Sequence, residues 1–248
     1  MNKTYREDWH LLTRDCDMAG ALRPGALLEM MQETAGTHAE LLGVGRTALS
    51  CQNMAWVVTR IEVQLNRTPR IGETLSVETY PLPVRRWFYP RYFVFRDAEE
   101  KEIGCAASLW VLMNLQTRRV ARSEQVNRLL PDNSDLPAPL GLPAPVQEVG
   151  GTLTEREFLP VYTDLDTNGH VNNCRYLDWC CNDLGVDTMR TSELGHFMIN
   201  YDLELRPGQT VRTELRRLGN DFSYTGYSDG SRHFDVGGTL RERRTGEG

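Results

Sequence analysis

Asp166, Asn168 and His170 occupy alternate positions in the segment Asp164-Leu165-Asp166-Thr167-Asn168-Gly169-His170-Val171-Asn172-Asn173. In an extended segment, side chains at i, i+2 and i+4 leave on the same side. A carboxylate, an amide and an imidazole therefore face one cleft. That set suits hydrolysis at a carbonyl: a proton acceptor, a hydrogen-bond donor and an anchor for both. A helix is expected next, over 172–184, with Asn172 or Asn173 as its N-cap. Its first amides would add oriented donors at a positive dipole end.

The segment has a second, degraded copy. Residues 15–28 read DCDMAGALRPGALL and residues 164–177 read DLDTNGHVNNCRYL, at a constant offset of 149. Asp15, Asp17 and Gly20 match Asp164, Asp166 and Gly169, whereas Ala19 and Ala21 stand in the places of Asn168 and His170. Asp166 and Asn168 also fit plain turn roles, accepting from backbone amides or preceding a left-handed glycine. His170 fits that reading less well, because the first copy makes the same turn with alanine.

Other chemistries fit less well. D-x-D-x-N-G imitates a calcium loop, but Arg175 stands where the bidentate carboxylate belongs. There is no HExxH or paired CxxC for zinc, no GxSxG elbow and no phosphate-binding glycine loop. No metal site is expected.

Composition sets broader bounds. The chain has 248 residues, with 40% hydrophobic and 25% charged, as in an ordinary globular protein. Its net charge of −6 argues against nucleic acid as a partner. No apolar run reaches the length of about 18 residues that a membrane span needs. The opening MNKTYREDWHLLTRD has no apolar signal core, and the six cysteines form no CxxC pair. A cytoplasmic location with reduced thiols is therefore expected.

Residues 131–150, PDNSDLPAPLGLPAPVQEVG, contain five prolines and read as a semi-rigid linker. They divide the chain into 1–130 and 151–248. Each part reads as a short extended segment, the DxDxxG turn, a helix and then several strands. The first helix starts near Pro24 and places Leu27, Met31, Ala35, His38 and Leu42 at helical spacing before Gly43. The second places Cys174, Leu177, Cys181 and Leu184 likewise before Gly185. Strands are expected at 56–65, 74–82, 91–98 and 105–115, then at 196–205, 210–218, 221–228 and 233–242. This is an α+β pattern, a helix packed on an antiparallel sheet, used twice. The two sheets could join edge to edge.

With these motifs in view, the chain resembles the bacterial form of the acyl-acyl-carrier-protein thioesterase family. The likeness rests on D-x-N-x-H-V-N-N (166–173) with RYLDW (175–179), and on MMQETAGTHAELLGVG (30–45), AWVVTRIEVQLNRTPRIGETLSVETYP (55–81) and SLWVLMNLQTRRVAR (108–122). It implies tandem hot-dog domains, each a long helix wrapped by an antiparallel sheet. The N-terminal one would hold the acyl chain and the C-terminal one would be catalytic. It also implies release of free fatty acid from acyl-carrier protein, without metal or cofactor. In YDLEL (201–205), Glu204 matches the family's acidic residue, and Leu205 stands where plant members have cysteine. A strand carboxylate facing solvent is the plainer reading of Glu204.

The resemblance yields a set of roles. Glu204 and His170 would activate a water, Asn168 would hold the carbonyl oxygen or the water, and Asp166 would fix the loop. Leu27, Met30, Met31 and Ala35, with Trp56 or Trp110, could line the acyl tunnel; such a stripe is more often plain core, so only some of these residues can be lining. Arg85-Arg86, Arg118-Arg119-Arg122 and Arg216-Arg217 are the basic clusters that could dock the acidic carrier. A coenzyme A thioesterase, a non-catalytic acyl-ligand sensor and a dehydratase are alternatives on this fold. Monomer and homodimer both remain open.

Overall fold

One order of elements occurs twice in the computed structural model, which describes residues 3–243. The first half contains β1 (Tyr5–His10), α1 (Pro24–Leu41), α2 (Arg46–Ser50), β2 (Met54–Leu65), β3 (Thr74–Pro81), β4 (Tyr89–Arg96), β5 (Glu102–Asn114), β6 (Arg119–Ala121) and α3 (Glu124–Leu129). The second contains β7 (Thr152–Phe158), α4 (Arg175–Leu184), α5 (Val186–Thr191), β8 (Ser192–Tyr201), β9 (Val211–Leu218), β10 (Asp221–Ser228) and β11 (Ser231–Glu242).

The strands form one antiparallel sheet in the order β1-β3-β4-β5-β2-β8-β11-β10-β9-β7, with β6 added on β5. Read outward from the middle, the two halves have the same order. They meet at β2 and β8, where Arg60 to Gln64 pair with Asn200 to His196. This pairing covers an edge that each half would otherwise leave open. Strand alternation sends Ile61 and Val63 with Phe197 and Ile199 into the helix-covered core. On the opposite face, Glu62 Oε1 lies 3.0 Å from His196 Nε2.

Pro24 starts α1, and Gly43, at φ 72°, follows its end. The helix buries Leu27, Met31, Ala35 and His38 of the expected stripe, and Leu42, its C-cap, is buried as well. Its first turn touches α4. A Cβ on Gly25 would lie 2.2 Å from Asp178 Oδ1, so only glycine permits this approach. Arg175 then ties the two helices, donating to Asp178 at 2.7 Å and to Glu29 of α1 at 2.5 Å.

Residues 131–151 contain no helix or strand and cross the sheet face opposite the helices. Leu136 and Leu140 pack on Tyr80, Tyr92, Val94 and Ala107. Tyr80 donates to the Pro137 carbonyl at 3.1 Å, and the Val149 amide donates to Ser223 Oγ at 3.0 Å.

Several boundaries differ from expectation. Strand β8 ends at Tyr201, so Glu204 lies in a loop rather than on a strand. There the Asp202 and Leu203 amides both turn to the His233 carbonyl, and regular pairing stops. The second helix begins at Arg175, not 172: the Asn172 amide turns back to the Asp164 carbonyl at 2.7 Å, and Cys174, rather than Asn172 or Asn173, takes the cap position. The short elements α2, α3, α5 and β6 carry too little periodic signal to be read from the sequence.

Phe197 is fully buried where the halves join. Phe197→Ala should lower stability by about 3–5 kcal/mol. In urea, both halves should then unfold together at a lower midpoint.

Candidate active site

The two DxDxxG turns close by matching bonds. Asp166 Oδ1 accepts from the Asn168 amide at 2.8 Å and the His170 amide at 3.1 Å. Asp17 Oδ1 accepts from the Ala19 and Ala21 amides at the same 2.8 and 3.1 Å. The backbone repeats too: the Asp166 amide donates to His170 O and the Asp17 amide to Ala21 O, each at 2.8 Å. Gly169 and Gly20 take φ 75° and 71°, in the left-handed region that favours glycine. Asp and Gly are thus what this turn needs. Asn168 and His170 are not required by its geometry.

The copies diverge at the other carboxylate oxygen. Asp166 Oδ2 accepts from Asn168 Nδ2 at 3.1 Å. Asp17 Oδ2 is instead taken by Arg243, which also donates to the Met189 and Ser192 carbonyls. With its oxygens turned to these donors, Asp166 serves the loop itself. Among the described residues no metal-holding group of His, Cys, Asp or Glu occurs.

Glu204 joins the turn from the loop after β8. The Val171 amide donates to the Leu205 carbonyl at 2.9 Å, which ties the two segments together. His170 Nε2 then lies 3.5 Å from Glu204 Oε1. Two cations hold the same carboxylate: Arg118 reaches Oε2 and Arg206 reaches Oε1, each at 2.6 Å. Burial alone would push this carboxyl up. The hydrogen bonds from Arg118 and Arg206, with His170 nearby, outweigh burial and hold it below its ordinary value.

A narrow apolar cleft, partly open to solvent, begins at Asn173 and Cys174, a few residues beyond His170. Asn173 and Cys174 form its end in the second half, and Met31, Gln32, Phe93 and Trp110 form walls in the first. Of the six residues expected to line a tunnel, Met31 and Trp110 border this cleft. Met30 and Ala35 are packed in the core. Leu27 borders a different cleft, beside Asp17 and Arg243. Trp56 lies in a separate cluster, its Nε1 donating to the Val44 carbonyl at 2.8 Å. Cys174 is no nucleophile, because burial pushes its thiol far up. The first amides of the second helix are also engaged: Asn172 takes the Cys174 amide on its side chain and the Arg175 amide on its carbonyl.

The basic clusters separate. Arg122 stacks on Trp87 with its guanidinium carbon 3.8 Å from the ring centroid, joining the 119–122 segment to the Arg85–Phe88 turn. Arg118 points to Glu204 instead. Arg216 pairs with Glu148 at 2.9 Å, and Arg217 donates to Thr188 at 3.1 Å. They lie five and six residues along β9 from Val211, or roughly 16–20 Å from its site end. Arg46, which nothing in the sequence singled out, donates to Thr167 Oγ1 at 3.1 Å and to Asn168 Oδ1 at 3.2 Å. Arg206 was likewise not expected. The Arg46 contact spans 122 residues and leaves no local pattern, whereas Arg206 stands only two residues from Glu204.

The family model described as Acyl-ACP thioesterase N-terminal domain matches residues 2–126, and that described as Acyl-ACP thioesterase C-terminal domain matches 149–235. The chain belongs to the acyl-ACP thioesterase family. A palmitoyl-acyl carrier protein thioesterase of Cuphea hookeriana is 28% identical over 88% of this chain and 56% of its own length. One from Gossypium hirsutum is 30% identical over 72% and 46%. The chain thus spans about half the length of the curated relatives it matches. An acyl-ACP thioesterase from Bacteroides thetaiotaomicron has a TM-score of 0.86 at 26% identity, covering 97% of this chain and 98% of that one. A 12:0-ACP thioesterase from Umbellularia californica shares the fold, with a TM-score of 0.83 at 22% identity and 98% and 99% coverage. The double hot-dog fold of the acyl-ACP thioesterase family is the architecture described above. No helix among the described residues is long and apolar enough to cross a membrane.

The depressed Glu204 carboxyl makes a pH prediction. Its ion pairs stabilise the fold above the ordinary carboxyl pKa, and that contribution is lost as pH falls through the depressed folded value. The Glu204 carboxyl resonance should therefore titrate below pH 4.5 in the folded protein. A midpoint at or above 4.5 would contradict the double-arginine clamp.

Proposed function

We propose that the chain hydrolyses acyl thioesters of acyl-carrier protein, releasing a free fatty acid and the carrier with its thiol restored. The observation that carries this reading is the meeting of His170 with Glu204, 3.5 Å apart, in the segment that runs on to Asn173 and Cys174 at the end of an apolar cleft walled by the other half. Family membership supports it.

Water supplies the nucleophile. His170 takes its proton as the oxygen attacks the thioester carbonyl carbon. Glu204, kept ionised by its arginines, stabilises the imidazolium that forms. Asn168 Nδ2 carries two hydrogens; one serves Asp166, and the other donates to the developing oxyanion. The carbon–sulfur bond then breaks, and the imidazolium returns its proton to the leaving sulfur. The acyl chain extends into the cleft between Met31, Phe93 and Trp110, in the N-terminal domain (1–130). The catalytic groups belong to the C-terminal domain (151–248), after the linker at 131–150.

The carrier docks on the surface of Arg85, Arg86, Arg119 and Arg122, where Trp87 and Phe88 are exposed. Charge favours an acidic partner there, and the exposed aromatics give it apolar contact. Arg216 and Arg217 are left out of this surface, because both are engaged within the chain.

Asn168→Ala and His170→Ala should each lower kcat on the order of 10²–10³ with folding intact. Near-normal turnover by both would refute the roles given. Arg86→Glu with Arg119→Glu should raise KM for carrier-linked substrate by at least about tenfold. The same pair should leave KM for a small acyl thioester as it was. Equal changes on both substrates would remove this docking surface.

A further inference from the structure

We infer that Arg118 is a positioning residue for hydrolysis, supplied by the N-terminal half to the catalytic carboxylate of the C-terminal half. The inference rests on the proposed function and adds a residue to it. A docking arginine would project freely to a partner. Arg118 instead donates through Nη2 to Glu204 Oε2 at 2.6 Å, across 86 residues of sequence.

The turn that carries Arg118 is built to hold it. It lies between β5 and β6. Asn114 Oδ1 accepts from the Gln116 amide at 3.0 Å, the Thr117 amide at 2.8 Å and the Thr117 hydroxyl at 3.1 Å. The Asn114 carbonyl accepts from the Arg118 amide at 2.9 Å. Arg118 itself takes φ 56°, a left-handed conformation that non-glycine residues adopt uncommonly. The surrounding bonds hold it there, and that conformation delivers the guanidinium to Glu204.

Arg118 occupies Oε2 and Arg206 comes to Oε1, the oxygen that faces His170. With Arg118 fixed by its turn, the carboxylate cannot rotate freely about its terminal bond. Oε1 is thereby kept toward the imidazole. Arg46 acts in parallel on the amide. Its guanidinium takes Asn168 Oδ1, so that Nδ2 faces Asp166 and the reacting carbonyl. The N-terminal half thus contributes cations that orient catalytic groups, in addition to the acyl cleft.

The test uses the full chain as Arg118→Met and Arg118→Lys, with a carrier-linked acyl thioester and a small acyl thioester analogue. Positioning predicts that Arg118→Met lowers kcat on both substrates by about tenfold to a hundredfold, with KM changed less than about threefold. It also predicts that the Glu204 carboxyl resonance titrates at higher pH than in the wild type, since one stabilising cation is gone. Arg118→Lys, which keeps the charge, should recover part of both effects. The inference is overturned if Arg118→Met raises KM for the carrier-linked substrate alone, which would make Arg118 a docking residue. It is also overturned if Arg118→Met turns over both substrates at wild-type kcat. A wild-type chain that hydrolyses neither substrate would instead overturn the proposed function, and the resonance shift would still report whether the contact forms.

Discussion

The pairing of β2 with β8 is the constraint on which the rest depends. Each half alone has a turn, a helix and a sheet whose β2 or β8 edge would be open. Joining the edges over Arg60–Gln64 and His196–Asn200 makes one sheet and removes two liabilities at once. It also fixes what faces what. Helix α1 is brought against the start of α4, with Gly25 allowing Asp178 to approach. Asn173 and Cys174, just after the polar turn of one half, therefore border the apolar wall of the other. Arg46 and Arg118 of the first half reach Asn168 and Glu204 of the second, so both halves contribute to the proposed site.

The duplicated turn separates structural need from chemical need. In both copies an aspartate accepts the same two amides at the same distances, and a glycine takes the left-handed conformation. Where Asn168 and His170 are present, the second carboxylate oxygen orients an amide beside Glu204. Where alanines stand, Arg243 fills the corresponding place and fastens the end of β11 to the first half. The degenerate turn has thus become a structural anchor, while its partner keeps the polar groups.

Much of this was legible in the sequence. The offset of 149 holds for the whole turn, down to the paired backbone bonds, because local residue types determine a tight turn. Helix α1 was bounded by Pro24 and Gly43, and the main strands followed their alternation. What was not legible depends on contacts distant in sequence. Glu204 looked like a strand residue because the apolar pattern runs on to Leu205, yet the chain leaves β8 when His233 draws away the Asp202 and Leu203 amides. Trp56 has the composition of a tunnel wall but packs against Val44 and Tyr89. Arg118 read as one member of a basic run, and only the closed sheet shows which of those arginines meets a carboxylate.

The central claim is that one turn in each chain is catalytic and the other only structural. Comparing Asp17→Ala with Asp166→Ala, at a temperature where both are folded, tests it most directly. Asp17→Ala leaves Arg243 without its carboxylate and should be the less stable protein, yet should hydrolyse acyl thioester at near the wild-type kcat. Asp166→Ala should stay folded and lose at least about a hundredfold in kcat, because Asn168 and His170 lose their anchor. Equal losses of activity in the two variants, or a greater loss in Asp17→Ala, would contradict the account.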